Sequence, residues 1–79
     1  IVTAQLLLFV AMTEYPNRIH ELRRARGLSQ QELADKVGCS KMHISGLERG
    51  VRELSLDWMR RLAAVFNVAP VDILSAEDN

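Results

Sequence analysis

The sequence is short of cysteine, of net charge and of long apolar runs, and each shortage removes a class of protein. Cys39 is its one cysteine, which rules out an internal disulfide framework and a four-cysteine zinc site and fits a reducing, cytoplasmic setting. Ten Lys and Arg balance ten Asp and Glu, so the formal net charge is zero. That balance excludes attachment to a polyanion by bulk charge, for which a pI above about 9 is the usual footprint. The apolar run from Leu6 to Met12 is far below the roughly 20 residues a membrane span needs. No basic residue precedes Arg18, so a signal peptide is not expected. There is no internal repeat, low-complexity stretch or linker. A period of two is absent except in residues 2–10, so strands are not expected elsewhere.

What remains is a chain of 79 residues, 48% apolar and 25% charged, enough for one domain with a small core. The charge is uneven: Met12 to Leu54 holds eight Lys/Arg against six Asp/Glu, and the rest two against four. Residues 1–14 form an apolar extension. It is read either as an artefact of upstream translation, Met12 being an available start, or as a segment that packs on a partner subunit. Residues 15–75 form the folded domain and residues 76–79 a polar tail.

From residue 15 the pattern is a series of short helices. Pro16 suits a first helical position, and a first helix is predicted from there to about Arg26, with Ile19, Leu22 and either Ala25 or the Arg26 stem inward; Gly27 stops it. Ser29 and Glu32 have the spacing of a capping box, which starts a second helix, Gln30–Val37, with Leu33, Ala34 and Val37 inward. Gly38 ends it. Ser40 caps a third helix, Lys41 to about Arg49, with Ile44 and Leu47 inward, stopped by Gly50. Ser55 caps a fourth, Leu56–Phe66, whose first turn carries Asp57 and whose apolar stripe is Leu56, Met59, Leu62, Ala63 and Phe66. Pro70 opens a short fifth helix to about Leu74.

The stretch from Gln30 to Arg49, QQELADKVGCSKMHISGLER, is the most informative. Counting from Gln30, apolar residues take the fourth, eighth, fifteenth and eighteenth places (Leu33, Val37, Ile44 and Leu47), with small Cys39 at the tenth. Two helices joined by a three-residue turn cross steeply. At the closest approach only a small side chain fits, which accounts for Ala34, and the turn needs a residue tolerant of positive φ, which accounts for Gly38. The four larger apolar residues pin the pair to the core. One face of the third helix is left open, carrying Lys41, Met42, Ser45, Gly46 and Arg49.

LSQQELADKVGCSKMHISGLERG resembles the helix-turn-helix of the Cro/CI-type (XRE) family of phage repressors and bacterial regulators. The likeness extends from residue 17 to about 74. The stretch HISGLERGVRELSL is also similar to restriction–modification controller proteins. The resemblance implies an all-α, five-helix, lambda repressor-like domain that binds double-stranded DNA through the major groove and regulates transcription. It implies that Gln30 bonds a phosphate at the start of the second helix, where free backbone amides also favour an anion. Lys41 leads the recognition helix towards base acceptors or a phosphate, and Met42 faces a thymine methyl group. His43 flanks the helix near phosphate, Ser45 reaches a base edge, and Gly46 permits close backbone approach or relieves crowding. Arg49 and Arg52 face the phosphate backbone, and the caps Ser29 and Ser40 are counted with this interface. Arg23 and Glu48 occupy the places of a structural ion pair. Met42 departs from the polar residue often found at its place, and the extension has no counterpart in the family.

A homodimer on a palindromic operator is expected, with Trp58, Val65, Val68 and Val71 as its interface; the alternative is that Trp58 completes the monomer core. No catalytic constellation stands out, and no cofactor, metal, membrane or small-molecule substrate is expected. The rival reading is a protein-interaction module, antitoxin- or coactivator-like, that keeps the fold with little direct DNA binding.

Overall fold

In the computed structural model, residues 15–74 are described; the extension 1–14 and the tail 76–79 lie outside them. The described residues form four α-helices and a closing 3₁₀ turn, with no strand among them: α1 Ile19–Ala25, α2 Gln30–Val37, α3 Lys41–Arg49, α4 Leu56–Phe66 and the turn Pro70–Ile73.

The helix starts are set by side-chain caps. Ser29 Oγ accepts from the Glu32 amide at 3.0 Å, and Glu32 Oε1 accepts from the Ser29 amide at 2.8 Å. Ser40 Oγ accepts from the His43 amide at 3.1 Å, and Ser55 Oγ from the Trp58 amide at 3.2 Å. Each satisfies a donor that the first helical turn leaves unpaired. Between α2 and α3, Gly38 adopts φ +91°, a backbone that a β-carbon would strain. The chain thereby reverses within Gly38–Ser40 and lays α3 across α2. Ile19, Leu22, Leu33, Ala34, Ile44, Leu47, Leu62, Ala63, Phe66 and Ile73 form the buried core, with Val37, Cys39 and Met59 half-buried at its edge.

Three expectations are corrected, and one alternative left open, Ala25 or the Arg26 stem, is decided. The first helix begins at Ile19, not Pro16: Asn17 Oδ1 accepts from the Ile19 amide at 3.0 Å and so acts as the start signal. The Pro16 ring is instead so close to the α3 exit that a β-carbon on Gly50 would meet its Cγ at 2.9 Å. Ala25 is exposed, and it is Arg26 that turns back, its guanidinium 5.3 Å from the Phe66 ring centroid. The fifth helix is a 3₁₀ turn, in which Asp72 N bonds Ala69 O at 2.9 Å and Leu74 N bonds Val71 O at 3.1 Å. It is pinned at both ends, by Asp72 Oδ2 on the Ala69 amide and by the Arg18 amide on Ile73 O at 2.8 Å. Leu56, counted in the inward stripe of the fourth helix, is 52% exposed; as the first residue of α4 it precedes the turn that meets the core.

Candidate nucleic-acid interface

The core holds one face of α3 and leaves another outside. Ile44 and Leu47 are fully buried. Glu48, between them and the helix end, is 1% exposed, and a carboxylate at that depth needs partners. Arg23 Nε of α1 donates to Glu48 Oε2 at 2.6 Å, and Arg23 Nη2 lies 3.5 Å from Oε1. The same guanidinium donates to Leu28 O at 2.8 Å. Gln30 Nε2 adds a third bond to Glu48 Oε1, at 3.1 Å. His20, stacked on Tyr15 with centroids 4.2 Å apart, places Nδ1 3.5 Å from the same oxygen. One buried carboxylate thus ties together α1, the start of α2 and the last turn of α3.

The carboxyl end of α3 is fixed a second time. Asn17 Nδ2 donates to Leu47 O at 2.8 Å, and the Val51 and Arg52 amides both bond Gly46 O, at 2.9 and 3.1 Å. Nothing local in the sequence signals the Asn17, Gln30 or Arg26 contacts. Arg26 donates from Nε and Nη2 to Phe66 O, at 3.1 and 2.7 Å, closing the carboxyl end of α4.

On the outer face of α3, Lys41 and Arg49 are exposed, Met42 is 73% exposed and Ser45 is half-buried. Arg49 Nε bonds both the carbonyl and the hydroxyl of Ser45, at 3.3 Å each. Ser29 and Gln30 stand at the first turn of α2 and Ser40 at that of α3, where helix ends favour anions. Gly46, expected on the open face, and His43, expected at its flank, lie elsewhere. Gly46 is buried, because the Arg52 side chain lies across it: a β-carbon there would meet Arg52 Cγ at 2.9 Å and Cδ at 3.0 Å. Of the two roles left open for Gly46, the geometry matches relief of crowding. His43 does not turn outward. Its ring lies 4.5 Å from that of Trp58, centroid to centroid at 32°, and its Nε2 is buried with no hydrogen-bond partner among the described residues.

Of the residues proposed for a dimer interface, Trp58, Val65 and Val68 are half-buried against the core, and Val71 is 65% exposed. Leu56 and Leu74 are exposed apolar side chains as well. Burial pushes the Cys39 thiol above its ordinary range, offset in part by the nearby Arg61 charge; such a thiol is a poor nucleophile. Among the described residues no helix is long and apolar enough to cross a membrane, and no three His, Cys, Asp or Glu are grouped as a metal would need.

A helix-turn-helix family model matches residues 19–73, and the chain belongs to this XRE-type family. The family is one of transcriptional regulators and not of enzymes. An uncharacterized HTH-type transcriptional regulator of Archaeoglobus fulgidus is 39% identical over 61 residues, covering 77% of this chain and 87% of that protein. The control protein C.BamHI of Bacillus amyloliquefaciens is 30% identical over 61 residues, covering 76% and 75%. The HTH-type transcriptional regulator SinR of Bacillus licheniformis is 32% identical over 62 residues; the match covers 77% of this chain but only 56% of SinR. Among solved structures, the restriction–modification controller protein C.AhdI of Aeromonas hydrophila superposes with a TM-score of 0.68 at 38% identity, covering 72% of this chain and 83% of that one.

Proposed function

We propose that this chain is a DNA-binding transcriptional regulator of the cytoplasm that lays α3 in the major groove of double-stranded DNA. The observation that carries the reading is the division of α3. One face is fastened by Ile44, Leu47 and Glu48, and the other exposes Lys41, Met42 and Arg49, with Ser45 half-buried among them. A helix used to read base edges must be held rigidly from behind while its outer side chains stay uncommitted. Lys41 supplies donors for guanine O6 and N7, and Met42 an apolar surface for a thymine methyl. Arg49, Arg52 and the amides at the start of α2 supply the phosphate contacts that set register. Gln30 has a second amide hydrogen for a phosphate beyond the one given to Glu48.

The chain acts as a homodimer on a palindromic site, with half-sites about 10 base pairs apart. A single recognition helix contacts few base pairs, and the exposed Val71, with Leu56 and Leu74, offers apolar surface on the α4 side of the molecule.

Gel retardation with random-sequence DNA at low salt tests the reading. Retardation that weakens as salt rises is expected. Absence of retardation leaves the interaction-module reading, which the zero net charge keeps open. Sedimentation equilibrium of the full chain and of Val71→Glu tests the dimer. A dimer that Val71→Glu dissociates is expected, and a wild-type monomer at micromolar concentration contradicts it.

A further inference from the structure

We infer that His43 and Trp58 form a positioning pair for the recognition helix. The inference rests on the reading that α3 faces DNA. His43 sits in the first turn of α3, directly after the exposed Lys41 and Met42, and its own amide is the one that Ser40 caps at 3.1 Å. Its ring bypasses the open face and lies against Trp58 of α4, centroids 4.5 Å apart. The carboxyl end of α3 is fixed by Glu48, Asn17 and the Gly50 turn. At its amino end this aromatic contact reaches across to α4. It thus sets the angle at which Lys41 and Met42 leave the surface.

The indole is itself held from α4: the Arg61 guanidinium carbon lies 5.0 Å from the Trp58 ring centroid, and Arg61 Nε lies 3.3 Å from Asp57 Oδ2. His43 Nε2 is buried with no hydrogen-bond partner among the described residues, so the ring is placed by its contact with Trp58 and not by a hydrogen bond at that nitrogen.

A phosphate contact and a stacked positioning ring answer differently to substitution, because phenylalanine keeps the ring against Trp58 and has no donor for a phosphate. The test measures affinity of the full chain for a selected DNA site at fixed salt and pH, for wild type, His43→Ala and His43→Phe. His43→Ala should bind roughly 2- to 10-fold more weakly, the size of one aromatic pair. His43→Phe should restore that affinity. A His43→Phe that binds as weakly as His43→Ala, or a His43→Ala that binds as wild type does, overturns the inference and leaves DNA binding standing. A wild type that retards no DNA removes both.

Discussion

The two faces of α3 are made from the same nine residues and do opposite things. The inner face is saturated: Ile44 and Leu47 are fully buried, and Glu48 is bonded by Arg23 and Gln30 with His20 beside it. The outer face keeps a lysine, a methionine and an arginine exposed in sequence order along the helix, tied only by Arg49 to Ser45. The contrast teaches where each kind of change should register. Substitutions behind the helix should alter folding, and substitutions in front should alter recognition, the two meeting where Arg52 crosses Gly46.

The largest effect should come from Glu48→Ala. It leaves the Arg23 guanidinium buried without its carboxylate, which costs about 3–5 kcal/mol out of a total near the lower end of about 5–15 kcal/mol for a domain this small. A urea melt should show the variant largely unfolded in mild denaturant; an unchanged midpoint would mean that the pair does not anchor the helix. Next in size is Ala34→Leu, at the fully buried crossing of α2 and α3, where overpacking costs about 1–3 kcal/mol. A melting temperature equal to wild type would show that the crossing has room and that α3 is not tightly seated. In front of the helix, Lys41→Ala should leave the melt unchanged while lowering discrimination at one base pair per half-site by about 1–3 kcal/mol. Equal losses on specific and random DNA would move Lys41 to the backbone contacts.

Smallest is Arg52→Ala, which should weaken binding to all sequences and reduce the salt slope by about one. Gly46→Ala should do the same from the inner side, because its methyl group occupies the place of the Arg52 stem. A Gly46→Ala protein with the wild-type salt slope would break the link between the buried glycine and the exposed arginine.

Local chemistry was legible in the sequence wherever it was local in fact. The bounds of α2, α3 and α4 follow from serine caps with a glycine after α2 and α3, signals that act within one helical turn. Asn67 stops α4 at φ +61° in the place a glycine takes elsewhere. Pro16 does not mark the start of α1, because proline at a first helical turn is only permissive, whereas Asn17 supplies the bond. What periodicity could not reach are bonds between distant residues: Asn17 to Leu47, Arg26 to Phe66, and Gln30 to Glu48. The same limit applies to the candidate interface. Lys41, Met42 and Arg49 are exposed, as helical spacing requires. Gly46 is covered because Arg52, beyond the helix end, folds back over it, and His43 is drawn off by an indole on another helix.

The central claim is that the outer face of α3 reads DNA sequence, and selection of binding sites from random duplexes, run in parallel with wild type and Lys41→Ala, tests it most directly. Wild type should enrich a two-fold symmetric site with half-sites about 10 base pairs apart, and Lys41→Ala should enrich the same site with one position per half made degenerate. Enrichment of no sequence by wild type, or identical preferences from both proteins, would contradict the claim.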